Sequence, residues 1–119
     1  MSLLATCLDR KGPQVTLVNV ENYVRAETAA MFDAPLAMAG GVNRWVHFRV
    51  PTPVDQQTVI RMNRDTLYSA AIVDISGGGT VTLPDAGGRY MTLMVINEDH
   101  YINRVFSEPG THELSLEDH

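Results

Sequence analysis

The spacing of apolar and polar residues predicts one helix near the start of the chain. Asn19 is a suitable N-cap, and the position before Pro35 disfavours helical backbone, so we expect the helix to end near Asp33. Glu21 and Arg25, four residues apart, are predicted to pair on its exposed side. The residues expected near one apolar face are Val20, Tyr23, Val24, Ala30 and Met31.

The remainder of the chain shows the alternation and short apolar runs typical of β-strands. Glycine-rich turns at 76–79 and 84–88 separate the middle segments, which favours an antiparallel meander with a short strand between two buried ones. The predicted fold class is α+β, mainly antiparallel β, as a meander or a sandwich-like sheet with the N-terminal amphipathic helix packed on it. The predicted strands are 44–50, 67–75, 80–83, 89–96 and 111–116.

Length and composition predict a single globular domain. The chain has 119 residues, of which 45% are apolar and 19% charged, so one buried core is expected. Residues 1–15 contain the turn-forming Lys11-Gly12-Pro13 and are predicted to be a lead-in with weak structure. Residues 16–119 are predicted to form the domain.

The charge balance narrows the classes of partner. A net charge of -5 argues against nucleic-acid binding, because phosphate recognition needs a basic surface. The single cysteine, Cys7, cannot form an internal disulfide. Neither a signal peptide nor an apolar run long enough to span a bilayer is recognisable, so we expect a soluble, cytoplasmic protein without a membrane partner.

The densest polar segment immediately precedes a predicted buried strand. Its arginines suit bidentate binding of a carboxylate or phosphate, and its aspartate or tyrosine could transfer a proton. The alternative is a structural Arg–Asp pair that fixes the entrance of the strand. The candidate ligand-binding residues here are Arg61, Asn63, Arg64, Asp65 and Tyr68.

A second polar segment, containing Glu98, Asp99 and His100, follows a later buried strand. A carboxylate could orient the imidazole as a general base, and these groups with His47 could bind a divalent metal. The alternative is that a strand leaving the core becomes polar where it reaches water. No two histidines have the spacing of a local metal motif, so no metal is predicted.

Motifs for covalent catalysis and phosphate-binding loops are not recognisable. Ser69 lacks a glycine elbow, and the glycines after Ser76 lack the helix and lysine of a phosphate-binding loop. No cofactor is predicted. Trp45 and His47 could line a pocket, although an aromatic side chain on a strand more often covers the sheet.

A family resemblance is carried by four segments: 21–27, 59–74, 83–91 and 95–101. Together they resemble the domain of unknown function 1254 family. The resemblance covers roughly residues 16 to 116. It implies a mainly β domain with helical elements, usually followed by more chain and often by a second family of unknown function, numbered 1214. The sequence ends where members generally continue, so a short or truncated member is expected, incomplete at its C-terminus.

The resemblance supplies no catalytic residues, so function is predicted from the polar segments. The first prediction is binding of a small anionic ligand, or an uncharacterised enzyme activity, at a site between Asn63-Arg64-Asp65 and Glu98-Asp99-His100. The alternative is an interaction or homo-oligomerisation module that pairs through exposed strand edges.

Overall fold

The computed structural model describes residues 2–7 and 17–116, which contain one α-helix and seven strands. A single turn of 3₁₀ helix lies at Val54–Gln56. The elements in chain order are β1 (Ser2–Cys7), α1 (Tyr23–Ala39), β2 (Arg44–Phe48), β3 (Tyr68–Val73), β4 (Gly79–Leu83), β5 (Thr92–Ile96), β6 (Ile102–Phe106) and β7 (Gly110–Leu114).

The strands form a five-stranded sheet and a separate two-stranded sheet. The larger sheet has the order β2-β3-β1-β5-β6, in which β1 is parallel to both neighbours and the outer pairs are antiparallel. The smaller sheet is the antiparallel pair β4-β7. The predicted fold class is confirmed: an α+β chain, mainly antiparallel, with a helix packed on the sheet.

Two details of the predicted topology are wrong. β4 pairs with β7 rather than with β3 or β5, so the meander is not formed and the sheets face each other instead. The lead-in predicted to have weak structure contains the central strand, since Ser2–Cys7 pairs with both β3 and β5. Residues 1 and 8–15 of that lead-in lie outside the described part.

α1 extends beyond the predicted stop at Asp33 and contains Pro35. A proline inside a helix costs about 3 kcal/mol because it removes one hydrogen bond and crowds the preceding turn, but here α1 packs on β2 and β3. The helix ends at Gly40, whose φ of 78° lies in the left-handed region. The N–H groups of Gly40 and Gly41 donate to the carbonyls of Ala37 and Leu36, at 3.2 and 3.1 Å.

The predicted apolar face of the helix is not the face that meets the sheet. The buried helical residues are Thr28 and Phe32. Of the five residues predicted for the apolar face, the four larger ones are exposed: Val20, Tyr23, Val24 and Met31. The mean directions of the two sets differ by roughly 100° around the helix axis, so more than a quarter turn separates the prediction from the structure.

The core lies between the two sheets. Leu93 and Val95 of β5 pack with residues of β4 and β7, and Ile75 joins them from the segment after β3. Trp45 of β2 and Val73 of β3 pack against this cluster and remain partly exposed. The helix therefore covers one face of the larger sheet, while the other face forms the core and borders a groove.

Candidate functional site

The first predicted polar segment forms a loop at the entrance to β3, held by its asparagine. The Asn63 side-chain amide donates to the Tyr68 hydroxyl at 2.7 Å. Its Oδ1 accepts from the backbone N–H of Asp65 at 2.8 Å. One side chain thus ties the loop to the first residue of β3. We call residues 61–68 the arginine loop.

The arginines of this loop do not form the structural pair with aspartate that the sequence allowed. Arg64 Nη1 donates to the Thr52 carbonyl at 2.6 Å, which joins the loop to the segment after β2. Within residues 17–116, neither Arg61 nor Arg64 forms an ion pair with Asp65. Arg61 has a φ of 62°, in the left-handed region that residues other than glycine seldom adopt. The loop is therefore fixed by amide and backbone hydrogen bonds.

The second predicted segment is the turn between β5 and β6, and Asn97 organises it. Asn97 Oδ1 accepts from the N–H groups of Asp99 and Tyr101, at 3.1 and 3.0 Å. The His100 N–H donates to the Asn97 carbonyl at 2.9 Å, and His100 has a φ of 66°. These bonds form a tight hairpin turn. We call residues 97–101 the β5–β6 turn.

Both carboxylates of the β5–β6 turn bind Arg25 of α1. Arg25 Nη1 donates to Asp99 Oδ1 at 3.0 Å, and Nη2 contacts Glu98 Oε2. The predicted pair of Arg25 with Glu21 is not formed. This contact fixes the orientation of α1 about its own axis and positions Thr28 above the sheet.

His100 is anchored to the same helix through Thr28. The Thr28 hydroxyl donates to the Val24 carbonyl at 2.8 Å, so its oxygen is left to accept from His100 Nδ1 at 3.2 Å. This arrangement places the proton of a neutral His100 on Nδ1. Glu98, Asp99 and His100 thus connect the turn to α1.

The two predicted segments lie at opposite ends of the strands of the larger sheet. β3 and β5 both run parallel to β1, and Ser2 is aligned with both Tyr68 and Thr92. The arginine loop precedes β3, whereas the β5–β6 turn follows β5. The length of a five-residue strand, roughly 16 Å, separates them. The structure does not bring these eight residues together in a single site, and ligand contact at either segment stays a prediction.

The patterns in the sequence did not predict a serine–histidine pair that lies on the larger sheet. His47 Nδ1 and Ser69 Oγ lie 2.7 Å apart across β2 and β3, and the His47 ring stacks on Trp45. Ser69 is only 1% exposed, so a substrate could not reach its hydroxyl. We assign the pair to hydrogen bonding within the sheet. Only the register of β2 against β3 brings these two residues together, and the sequence does not reveal that register.

A groove of about 380 Å³ lies between the two sheets, beside this pair. Trp45, Ala71 and Val73 line it from the larger sheet, and residues 78–82 with Leu114 line it from the smaller sheet. Its polar lining residues include Asn43 and Asp74, which flank the ends of β2 and β3. None of the eight predicted site residues lines this groove. The expectation that Trp45 could line a pocket is confirmed, whereas His47 is not among the lining residues.

Asp74 is held at the groove by local hydrogen bonds. Its backbone N–H donates to Asn43 Oδ1 at 3.0 Å, and its Oδ1 accepts from the Ser76 N–H at 2.9 Å. The hydrogen bonds from the backbone and hydroxyl of Ser76 keep the pKa of Asp74 below its usual value of 3.8. The carboxylate is therefore ionised at neutral pH.

With this geometry, the chain can be compared with known proteins. A family model described as "Protein of unknown function (DUF1254)" matches residues 42–113, more than half of the chain. The chain belongs to this family. No curated protein and no solved structure matches it.

The DUF1254 match contains most of the candidate sites. The arginine loop, the β5–β6 turn and every groove residue except Leu114 lie within it. α1 precedes the matched region, so Arg25, which binds the turn, lies outside it. The DUF1254 resemblance predicted from the sequence is confirmed for this region.

Metal centres and membrane-spanning helices are two features that the described residues lack. No group of three or more histidine, cysteine, aspartate or glutamate side chains within them could hold a metal ion. In the same part of the chain, no helix has the length and apolar character needed to cross a membrane.

Proposed function

We propose that this member of the DUF1254 family binds a small molecule in the groove between its two sheets. The observation that carries the proposal is the convergence of an aromatic ring, an amide and an ionised carboxylate on one concave space: Trp45, Asn43 and Asp74. Small-molecule sites generally combine an apolar wall with a few polar groups that fix orientation.

The size and wall of the groove support the proposal. A volume of about 380 Å³ lies within the usual range for ligand pockets, roughly 300–1,000 Å³. Ala71 and Val73 are held in a central part of the larger sheet, and Trp45 lies beside them on the neighbouring strand. A wall carried on paired strands is preorganised, which lowers the entropic cost of binding.

A fragment screen followed by backbone NMR tests the proposal. Binding at the groove should perturb the Trp45 indole signal and the amides of residues 78–82. Val73→Phe enlarges a partly exposed side chain at the groove and should abolish these perturbations. Val105→Phe makes the same change on the exposed face of β6 and should leave them intact. Fragment binding that survives Val73→Phe would place the ligand elsewhere and refute the groove.

The anionic ligand predicted from the sequence would occupy a different place, the arginine loop. What supports it is the contrast in charge: the guanidinium groups of Arg61 and Arg64 have no carboxylate partner among residues 17–116. Two arginines near one another suit bidentate binding of an anion. Glu98, Asp99 and His100 are not part of this proposed subsite because of their contacts with α1.

A second candidate function is association with another polypeptide, including a second copy. Val24, Met31 and Met38 recur every seven residues, form one stripe along α1, and are each more than half exposed. β2 and β6 are the outer strands of the larger sheet, so each has an unpaired edge within the described residues. Exposed apolar stripes and open edges favour association.

Sedimentation velocity at several concentrations tests self-association. A reversible dimer should weaken when Met31→Glu places a charge on the stripe. Ala30→Glu adds the same charge at the neighbouring exposed position, off the stripe, and should not change the dimer. A monomer at every concentration would rule out self-association.

A further inference from the structure

We infer that the groove between the sheets selects a small organic cation, such as a substituted ammonium group. This inference rests on the proposed function and adds the chemical class of the ligand. It is carried by two residues that line the groove, Trp45 with its indole ring and Asp74 with its carboxylate.

Trp45 provides the apolar part of such a site. Its side chain is partly exposed and borders the groove from the open edge strand β2. An indole face attracts a nearby cation through the quadrupole of the ring, and tryptophan is the strongest of the aromatic side chains in this respect. The stacking of His47 on Trp45, with ring centroids 6.4 Å apart, holds the ring in place.

Asp74 provides the charge. Of the described residues that line the groove, Asp74 alone has an ionisable side chain. Asn43 and Ser76 fix the backbone and one carboxylate oxygen, respectively. The Ser76 hydroxyl also bonds to this carboxylate, and a carboxylate with two such bonds retains lone pairs that can accept a hydrogen bond from a ligand.

The same charge excludes anions. Among the described residues that line the groove there is no arginine, lysine or histidine, so an anionic ligand would meet the Asp74 carboxylate without a compensating cation from them. The groove and the arginine loop thus differ in the sign of their charge. A neutral ligand would gain contact with Trp45 but no attraction to Asp74.

Fluorescence of the chain's single tryptophan provides a direct test, because Trp45 lies in the groove. The whole chain is titrated with tetramethylammonium chloride. Parallel titrations use tert-butanol, a neutral molecule of similar size, and sodium chloride at matched ionic strength. A saturable change is expected with tetramethylammonium and a much smaller one with either reference.

Asp74→Asn removes the charge and keeps the oxygen that accepts from Ser76. It should weaken tetramethylammonium binding by up to about fivefold, the upper end for an ion pair with an exposed carboxylate. Asp85→Asn is the matched control. Asp85 Oδ1 accepts from the N–H two residues later in the same way, at 2.8 Å, but Asp85 does not line the groove.

The outcomes separate the inference from the proposed function. Equal binding of tetramethylammonium and tert-butanol, or unchanged binding by Asp74→Asn, would overturn the cation preference. If neutral fragments still bind in the groove and Val73→Phe blocks them, the proposed function survives this failure. If no probe binds the groove, the inference and the proposed function both fall.

Discussion

The arginine loop and the β5–β6 turn have similar side chains but different partners. In the turn, both carboxylates contact Arg25 and the imidazole contacts Thr28. In the arginine loop, Arg64 binds a backbone carbonyl, and no ion pair links either arginine to Asp65 among residues 17–116. The β5–β6 turn is therefore bound to α1, whereas the charged side chains of the arginine loop are exposed to solvent.

The difference comes from a helix distant in sequence. Arg25 lies 73 residues before Glu98, and the two side chains meet because the start of α1 lies beside the turn that follows β5. No element supplies a comparable counter-charge to the arginine loop within the described residues. A dense polar segment can therefore be a tertiary contact or a free surface, and its sequence looks the same in both cases.

Of the changes that test this difference, removing Arg25 should lower the free energy of unfolding most. Arg25→Met should lower the free energy of unfolding by about 1–2 kcal/mol, because two charge-assisted contacts are lost. Glu98 is 15% exposed, so water only partly replaces the lost cation. Urea denaturation measures the change. Arg49→Met, at an exposed arginine after β2, is the control and should change stability by less than about 0.5 kcal/mol. Equal effects of the two variants would show that the contact does not support the fold.

Thr28→Val should have the next largest effect. The substitution keeps the shape of a side chain that is 1% exposed but removes its bonds to Val24 and His100. A loss of about 1 kcal/mol is expected. The ¹⁵N chemical shifts of the His100 ring should also move away from the Nδ1–H tautomer. Unchanged shifts would show that Thr28 does not set the tautomer.

Changes in the arginine loop should affect stability less and ligand response more. Arg64→Met removes one hydrogen bond to an exposed segment and should cost less than about 1 kcal/mol. Thermal unfolding with added inorganic phosphate tests anion binding. If phosphate raises Tm, Arg61→Met with Arg64→Met should remove that increase, whereas Arg89→Met should not. An increase that persists in the double variant would exclude the loop as the site.

The smallest expected effect concerns pH. Because the folded pKa of Asp74 lies below 3.8, its ionised form favours the folded state. This contribution is fully present above the unfolded pKa and is lost as pH falls through the folded value. An NMR titration of the Asp74 carboxyl carbon should give a midpoint below 3.8. In Asp74→Asn, the acid dependence of stability should be reduced.

The sequence correctly predicted several local features of the candidate sites. Trp45 and His47 share a strand face, and the arginine loop leads directly into β3. Strand alternation and turn-forming residues are local properties, so a single sequence contains them. The groove was not predicted because its walls come from β2, β3, β4 and β7, and their meeting depends on which strands pair.

By itself, the sequence determined the fold class, the family and the approximate position of most strands, because alternation, turn chemistry and a family segment are carried by neighbouring residues. Only the tertiary structure decided that Ser2–Cys7 lies between β3 and β5, and that β4 pairs with β7. Tertiary packing also allowed α1 to continue through Pro35, and it placed the two polar segments at opposite ends of the strands. These features depend on contacts between residues far apart in sequence, whose packing outweighs local preference.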